Sequence, residues 1–81
     1  MYTITTTNKF DKSLKLCKKR NYDLSLLQVV IDLLQKEGKL PQKYKQHKLS
    51  GNYKDCWECH IKPDWLLVWK QNDTELILLL L

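Results

Sequence analysis

The residues of this chain best equipped for chemistry are two imidazoles and a carboxylate: His47, His60 and Asp64. These are the only histidines among the 81 residues. An imidazole titrates close to neutral pH, so a pair can accept one proton and deliver another in the same turnover. Cutting RNA without a metal asks for that combination. A base must activate the 2′-hydroxyl, an acid must protonate the departing 5′-oxygen, and lysines can stabilise the charge on the phosphorane. Glu58 and Asp64 are the carboxylates beside the pair. Trp65 follows Pro63-Asp64 directly and can stack on a base, although it fits a core position as well. Taken singly, each histidine also reads as a surface or hydrogen-bonded structural residue.

A second pattern competes for attention. Cys56-Trp57-Glu58-Cys59-His60 spells C-x-x-C-H, the attachment motif of c-type haem. Haem attachment by this motif normally requires export, and Met1-Tyr2-Thr3-Ile4-Thr5 lacks the basic end and apolar run of a signal peptide. The only methionine is Met1, so His47 or something weaker would have to serve as second axial ligand. The motif also falls within a strand, where Cys56 and Cys59 point to opposite faces. The same facing problem weakens a zinc site built from Cys56, Cys59, His60 and His47, which also lacks a second C-x-x-C. With Cys17 the cysteines number three, an odd count that argues against a disulfide framework. The expectation is one buried and one partly exposed thiol in the motif, with no haem, metal or other cofactor.

The elements that must position these residues are readable from periodicity. Tyr2–Thr6 alternates β-branched and polar residues, as a strand does. Thr7 or Asn8 can cap a helix over Lys9–Arg20 whose Phe10, Leu14 and Cys17 share a face. After Asn21-Tyr22, Asp23 can cap a second helix, Leu24–Glu37, with Leu27, Val30, Ile31 and Leu34 as its apolar stripe and Gly38 as its stop. The remainder reads as β. A turn at Ser50-Gly51-Asn52 leads into a strand over Tyr53–Ile61, with Trp57, Cys59 and Ile61 facing one way and Lys54, Cys56, Glu58 and His60 the other. Lys62-Pro63-Asp64 breaks it, Trp65–Lys70 is a buried strand, and Glu75–Leu81 is the last. The expected fold is α+β: an N-terminal strand and two helices packed on one face of an antiparallel sheet of three to four strands, in a single domain over 1–81. The other face stays open and carries Lys54, Glu58 and His60.

Bulk properties narrow the class. The composition, 43% hydrophobic and 28% charged with two Gly and two Pro, is that of a globular domain rather than a disordered segment. Residues 1–48 hold eleven Lys/Arg against four acids, and residues 49–81 hold three against five. A basic first half suits a polyanion such as RNA, an acidic partner, or simply a solvated helix face. The longest apolar run, Leu76–Leu81, is far shorter than the ~20 residues of a membrane helix. A cytoplasmic protein without a membrane segment is expected.

Tyr44-Lys45-Gln46-His47-Lys48-Leu49-Ser50-Gly51, followed by Glu58-Cys59-His60-Ile61-Lys62-Pro63-Asp64-Trp65-Leu66-Leu67-Val68-Trp69, resembles the YafQ-type toxins of the RelE superfamily. The opening Asn8-Lys9-Phe10-Asp11-Lys12-Ser13-Leu14-Lys15 is similar to theirs too, so the resemblance spans essentially the whole chain. It explains C-x-x-C-H without haem, because Glu-Cys-His occurs naturally in that strand. The resemblance implies a RelE-like fold and an mRNA interferase that cleaves messenger RNA in the ribosomal A site and is neutralised by a cognate antitoxin. It implies acid–base roles for His47 and His60, with Asp64 assisting, Trp65 lining the site, Glu58 as the neighbouring acid and Lys54 as a cation for phosphate. Two departures accompany it. Leu80 stands where the family usually has an arginine, and the chain stops at Leu81, before a tail that in the family carries a further catalytic histidine. The expectation is a shortened end, and either a weakened nuclease or a toxin-like protein that binds antitoxin or ribosome without cutting.

Overall fold

The computed structural model describes residues 1–81. Strand β1 (Thr3–Thr6) leads into helices α1 (Asn8–Lys19) and α2 (Leu24–Glu37). A short 3-10 turn at Gln42–Tyr44 then precedes β2 (His47–Lys48), and a second at Gly51–Tyr53 precedes β3 (Cys56–Lys62), β4 (Trp65–Gln71) and β5 (Glu75–Leu80). The five strands form one sheet in the order β1-β5-β4-β3-β2.

Local chemistry sets the helix ends. Thr7 lies in extended backbone and its hydroxyl oxygen accepts from the Phe10 N–H at 3.1 Å, while the same hydroxyl donates to the Leu78 carbonyl at 3.0 Å. One side chain thus caps α1 and ties it to β5. Asp23 caps α2 by accepting from the Ser25 N–H at 3.0 Å. Gly38 ends α2 in the left-handed conformation, φ 70°, with its N–H donating to the Leu34 carbonyl. A single core joins the layers: Phe10 and Cys17 from α1, Leu27, Val30 and Leu34 from α2, and inward residues of β3, β4 and β5 including Cys59, Leu67, Trp69, Leu76 and Leu78.

The α+β layering agrees with the sequence reading, with three adjustments. The sheet gains strands at both edges: β1 joins it parallel to β5, with Ile4 opposite Leu76, and β2 pairs antiparallel with β3. All other pairings are antiparallel. The strand expected from Tyr53 begins at Cys56, because Gly51–Tyr53 forms a 3-10 turn and Asp55 has φ 71°. Lys54 therefore stands exposed in that turn rather than on the open sheet face. Both motif thiols are buried, Cys56 at 2% exposure and Cys59 at 0%, where one was expected to be partly exposed. Cys56 shares the outer face of the pleat with Glu58, yet Val68, opposite Glu58 on β4, is buried there as well. The outer face is only partly open.

Candidate active site

The register of the edge strand builds the site. His47 on β2 lies directly opposite Glu58 on β3, so the two side chains emerge on the same outer face. His47 Nε2 is 3.1 Å from Glu58 Oε1. Its Nδ1 is 2.8 Å from the Lys45 carbonyl, which can only accept, so Nδ1 carries a proton and donates. Both ring nitrogens of His47 thus face acceptors. A neutral ring can donate to one of them, whereas an imidazolium serves both. The Lys45 carbonyl is aimed by a left-handed backbone, φ 52°, just beyond the 3-10 turn.

His60 follows Glu58 by two positions and so emerges on the same face. Its ring centroid is 6.2 Å from that of His47, with the planes tilted by 36°. His60 Nδ1 donates to the Pro63 carbonyl at 3.3 Å, in the turn after β3. The opposite nitrogen, Nε2, is bonded to no protein group and is free to exchange a proton. The β3–β4 register slips between His60 and Lys62, a local irregularity of the kind that re-aims side chains beside sites. Two imidazoles, one beside a carboxylate and one with a nitrogen bonded to no protein group, share a partly solvated surface.

The remaining expected site residues lie elsewhere. Asp64 is exposed in the β3–β4 turn and touches neither histidine; it opens onto a cleft on the α1 side, beside Arg20, Tyr22 and Trp65. Trp65 is a core residue, 4% exposed, with its ring edge-on to Tyr22 at 5.0 Å. Its faces are not available to a base, because the inward face of β4 carries it under α1. The indole N–H of Trp65 is buried without an acceptor. Lys54 makes no ion pair.

Sequence reasoning missed a group of cations. Lys43, Lys45 and Lys62 line, with His60 and Pro63, a cavity of about 230 Å³. The signal for them was present: Lys45 precedes His47 by two positions and Lys62 follows His60 by two. The C-x-x-C-H cysteines add nothing to this face. Burial pushes the Cys59 thiol up to about 12, so it remains protonated, and no cluster of three or more potential metal ligands forms.

Residues 2–81 match the sequence model of a family described as a bacterial toxin of type II toxin–antitoxin systems, YafQ. The mRNA interferase toxin YafQ of Escherichia coli K12 is 35% identical over 71 residues, which cover 86% of this chain and 77% of that protein. Among solved structures, the E. coli DinJ–YafQ complex contains a chain that superposes with a TM-score of 0.90 at 32% identity, covering 99% of this chain and 90% of that one. A metal-bound toxin from Helicobacter pylori superposes with a TM-score of 0.89 at 46% identity, covering 99% and 91%.

Proposed function

The chain belongs to the YafQ family of bacterial type II toxin–antitoxin toxins, and on that premise we propose that it is an endoribonuclease that cuts mRNA in the ribosomal A site and is held inactive by a cognate antitoxin. The observation that carries the reading is the pair of imidazoles on one face, 6.2 Å apart, with a free nitrogen on His60. That spacing lets the rings flank a single phosphate. His60 Nε2 takes the proton of the 2′-hydroxyl as the 2′-oxygen attacks phosphorus. The bond from phosphorus to the 5′-oxygen breaks, and the 5′-oxygen receives its proton from His47. The products are a 2′,3′-cyclic phosphate and a 5′-hydroxyl end. Glu58 and the Lys45 carbonyl hold the His47 ring in place through its two nitrogens. No metal enters this scheme.

One observation favours a second reading, a toxin-like protein that binds antitoxin or ribosome without cutting. Leu80 occupies the position at which the family resemblance implies an arginine, so β5 brings no cation to the phosphate. Cleavage of a reporter mRNA on translating ribosomes, with 5′ ends mapped, decides between them. The nuclease reading expects codon-phased cuts that fall by about 10²–10⁴-fold in His60→Ala, the range of a general acid–base contribution. No cuts from the unsubstituted chain, in a folded preparation, would leave the binding reading.

A further inference from the structure

We infer that Lys43, Lys45 and Lys62 form a phosphate clamp that grips the backbone of single-stranded RNA beside His60, supplying the cationic charge that β5 does not. The inference rests on the reading of the two histidines as an RNA-cleaving pair and adds the residues that hold the substrate to it.

The lysines come from two separate segments, the 3-10 turn with its exit and the end of β3, yet they border one cavity with His60. No carboxylate lines that cavity. The only ion pair in the molecule is His47–Glu58, so all three ammonium groups are without a carboxylate partner. Lys62 also borders the cleft that holds Asp23 and Asp64; it forms a close ion pair with neither, although after the Ser25 hydrogen bonds its charge helps to lower the Asp23 pKa. Three positive charges that border one cavity lined by no carboxylate favour the entry of an anion between them. Lys43 is steadied at the rim by the Tyr44 ring, 5.1 Å from its Nζ to the ring centroid. Lys45 is held by its left-handed backbone, whose carbonyl is tied to His47. The clamp and the acid–base pair therefore share a structural element.

The lining also selects the class of anion. Four of the six residues around the cavity, Lys43, Lys45, His60 and Lys62, are polar, and only Ile61 and Pro63 are apolar. An acidic peptide would find little to anchor its apolar side chains there. A nucleic-acid backbone needs none, because phosphate contacts carry most of its affinity.

The test is the salt dependence of binding to a fully 2′-O-methylated RNA oligonucleotide, which cannot be cut. The unsubstituted chain is compared with the triple variant Lys43→Gln, Lys45→Gln, Lys62→Gln. A charge-matched control carries Lys12→Gln, Lys15→Gln and Lys18→Gln on α1. Circular dichroism confirms that each is folded. Each phosphate neutralised contributes about 0.7 to the slope of log K against log salt for a single strand, so the clamp variant should lower the slope by about 2 and the control by clearly less. An equal loss in both variants overturns the clamp, as does an unchanged slope or no binding by the unsubstituted chain. Hexaglutamate titrated in parallel gives the remaining arm: loss of peptide affinity matching the loss for RNA would mean that the cavity takes acidic protein instead. Cleavage on ribosomes is read separately. A lowered slope without cleavage by the unsubstituted chain keeps the clamp and removes the nuclease, and cleavage with an unchanged slope does the reverse.

Discussion

Desolvation decides the state of Cys59. It sits at 0% exposure on the inward face of β3, and taking a thiolate out of water there raises its pKa from 9.0 to about 12. The sign of the linkage follows. Below pH 9 the thiol is protonated whether folded or unfolded and has no effect. Between pH 9 and 12 the unfolded chain ionises it and the folded chain does not, so stability is lost as pH rises through that window. Urea unfolding at pH 8 and pH 10 should show a larger loss for the unsubstituted chain than for Cys59→Ala, since the two chains differ only at that residue. Identical losses would refute the assignment. At pH 8 in the native state, Cys59 should also resist alkylation, as mapped by mass spectrometry, and react once urea is added. The cysteines illustrate how far single residues could be read from sequence. Alternation along β3 correctly separated Cys56 from Cys59, but it could not show that Cys56 is buried on the outer face as well. His47 and His60 were legible because the chain offers no other imidazole. Asp64 in the strand break and a core position for Trp65 were also legible; what alternation could not show is that neither lies beside the two histidines, because adjacent residues at a strand start diverge, one into the turn and the other into the core.

At the scale of elements, the end of α2 and the 3-10 turn before β3 show what a single backbone angle is worth. Gly38 has φ 70°, and a Cβ added there would lie 2.5 Å from the Tyr2 hydroxyl, 2.7 Å from its ring. Gly51 has nearly the same φ, 69°, with nothing within 4 Å of an added Cβ. Left-handed backbone costs an L-residue roughly 1–2 kcal/mol, so Gly51→Ala should lose about that much. Gly38→Ala should lose more, because Tyr2 must also be displaced from the end of α2. Thermal melts of the two variants measure the difference, with about 4–8 °C expected per kcal/mol in a domain of this size. Equal melting temperatures would mean that the Tyr2 contact yields freely. Helices α1 and α2 were legible almost to the residue, because capping side chains and apolar stripes are local signals. Strand β2 was not, since two residues have no period to detect, and its pairing with Glu58 is what assembles the site. The parallel contact of β1 with β5 was equally hidden, because it joins segments more than 70 residues apart. The strand onset at Cys56 was missed because Asp55 enters left-handed backbone where alternation alone runs on.

The whole molecule has one core and little to spare. Twelve buried residues hold both helices to the sheet, and none of the buried residues is polar or charged. A domain of 81 residues has a net stability of roughly 4–12 kcal/mol at 0.05–0.15 kcal/mol per residue. Leu34 lies at 0% exposure in the last turn and a half of α2, where the helix meets the strands. Truncating such a residue to alanine removes transfer energy and leaves a cavity, together about 2–5 kcal/mol. The two ranges overlap. Leu34→Ala should therefore lower the melting temperature by roughly 8 °C or more, and leave a measurable unfolded fraction at 37 °C. A shift under about 4 °C would show that the core relaxes around the gap. The same arithmetic bears on the proposed antitoxin. A partner that binds only the folded chain adds RT ln(1 + [L]/Kd), about 2.7 kcal/mol at a hundredfold excess over Kd, which is the size of the defect. Adding the antitoxin to Leu34→Ala should restore most of the lost melting temperature. Failure to restore it, with binding to the unsubstituted chain intact, would mean that the antitoxin also recognises the unfolded chain or that the Leu34 face takes part in its docking.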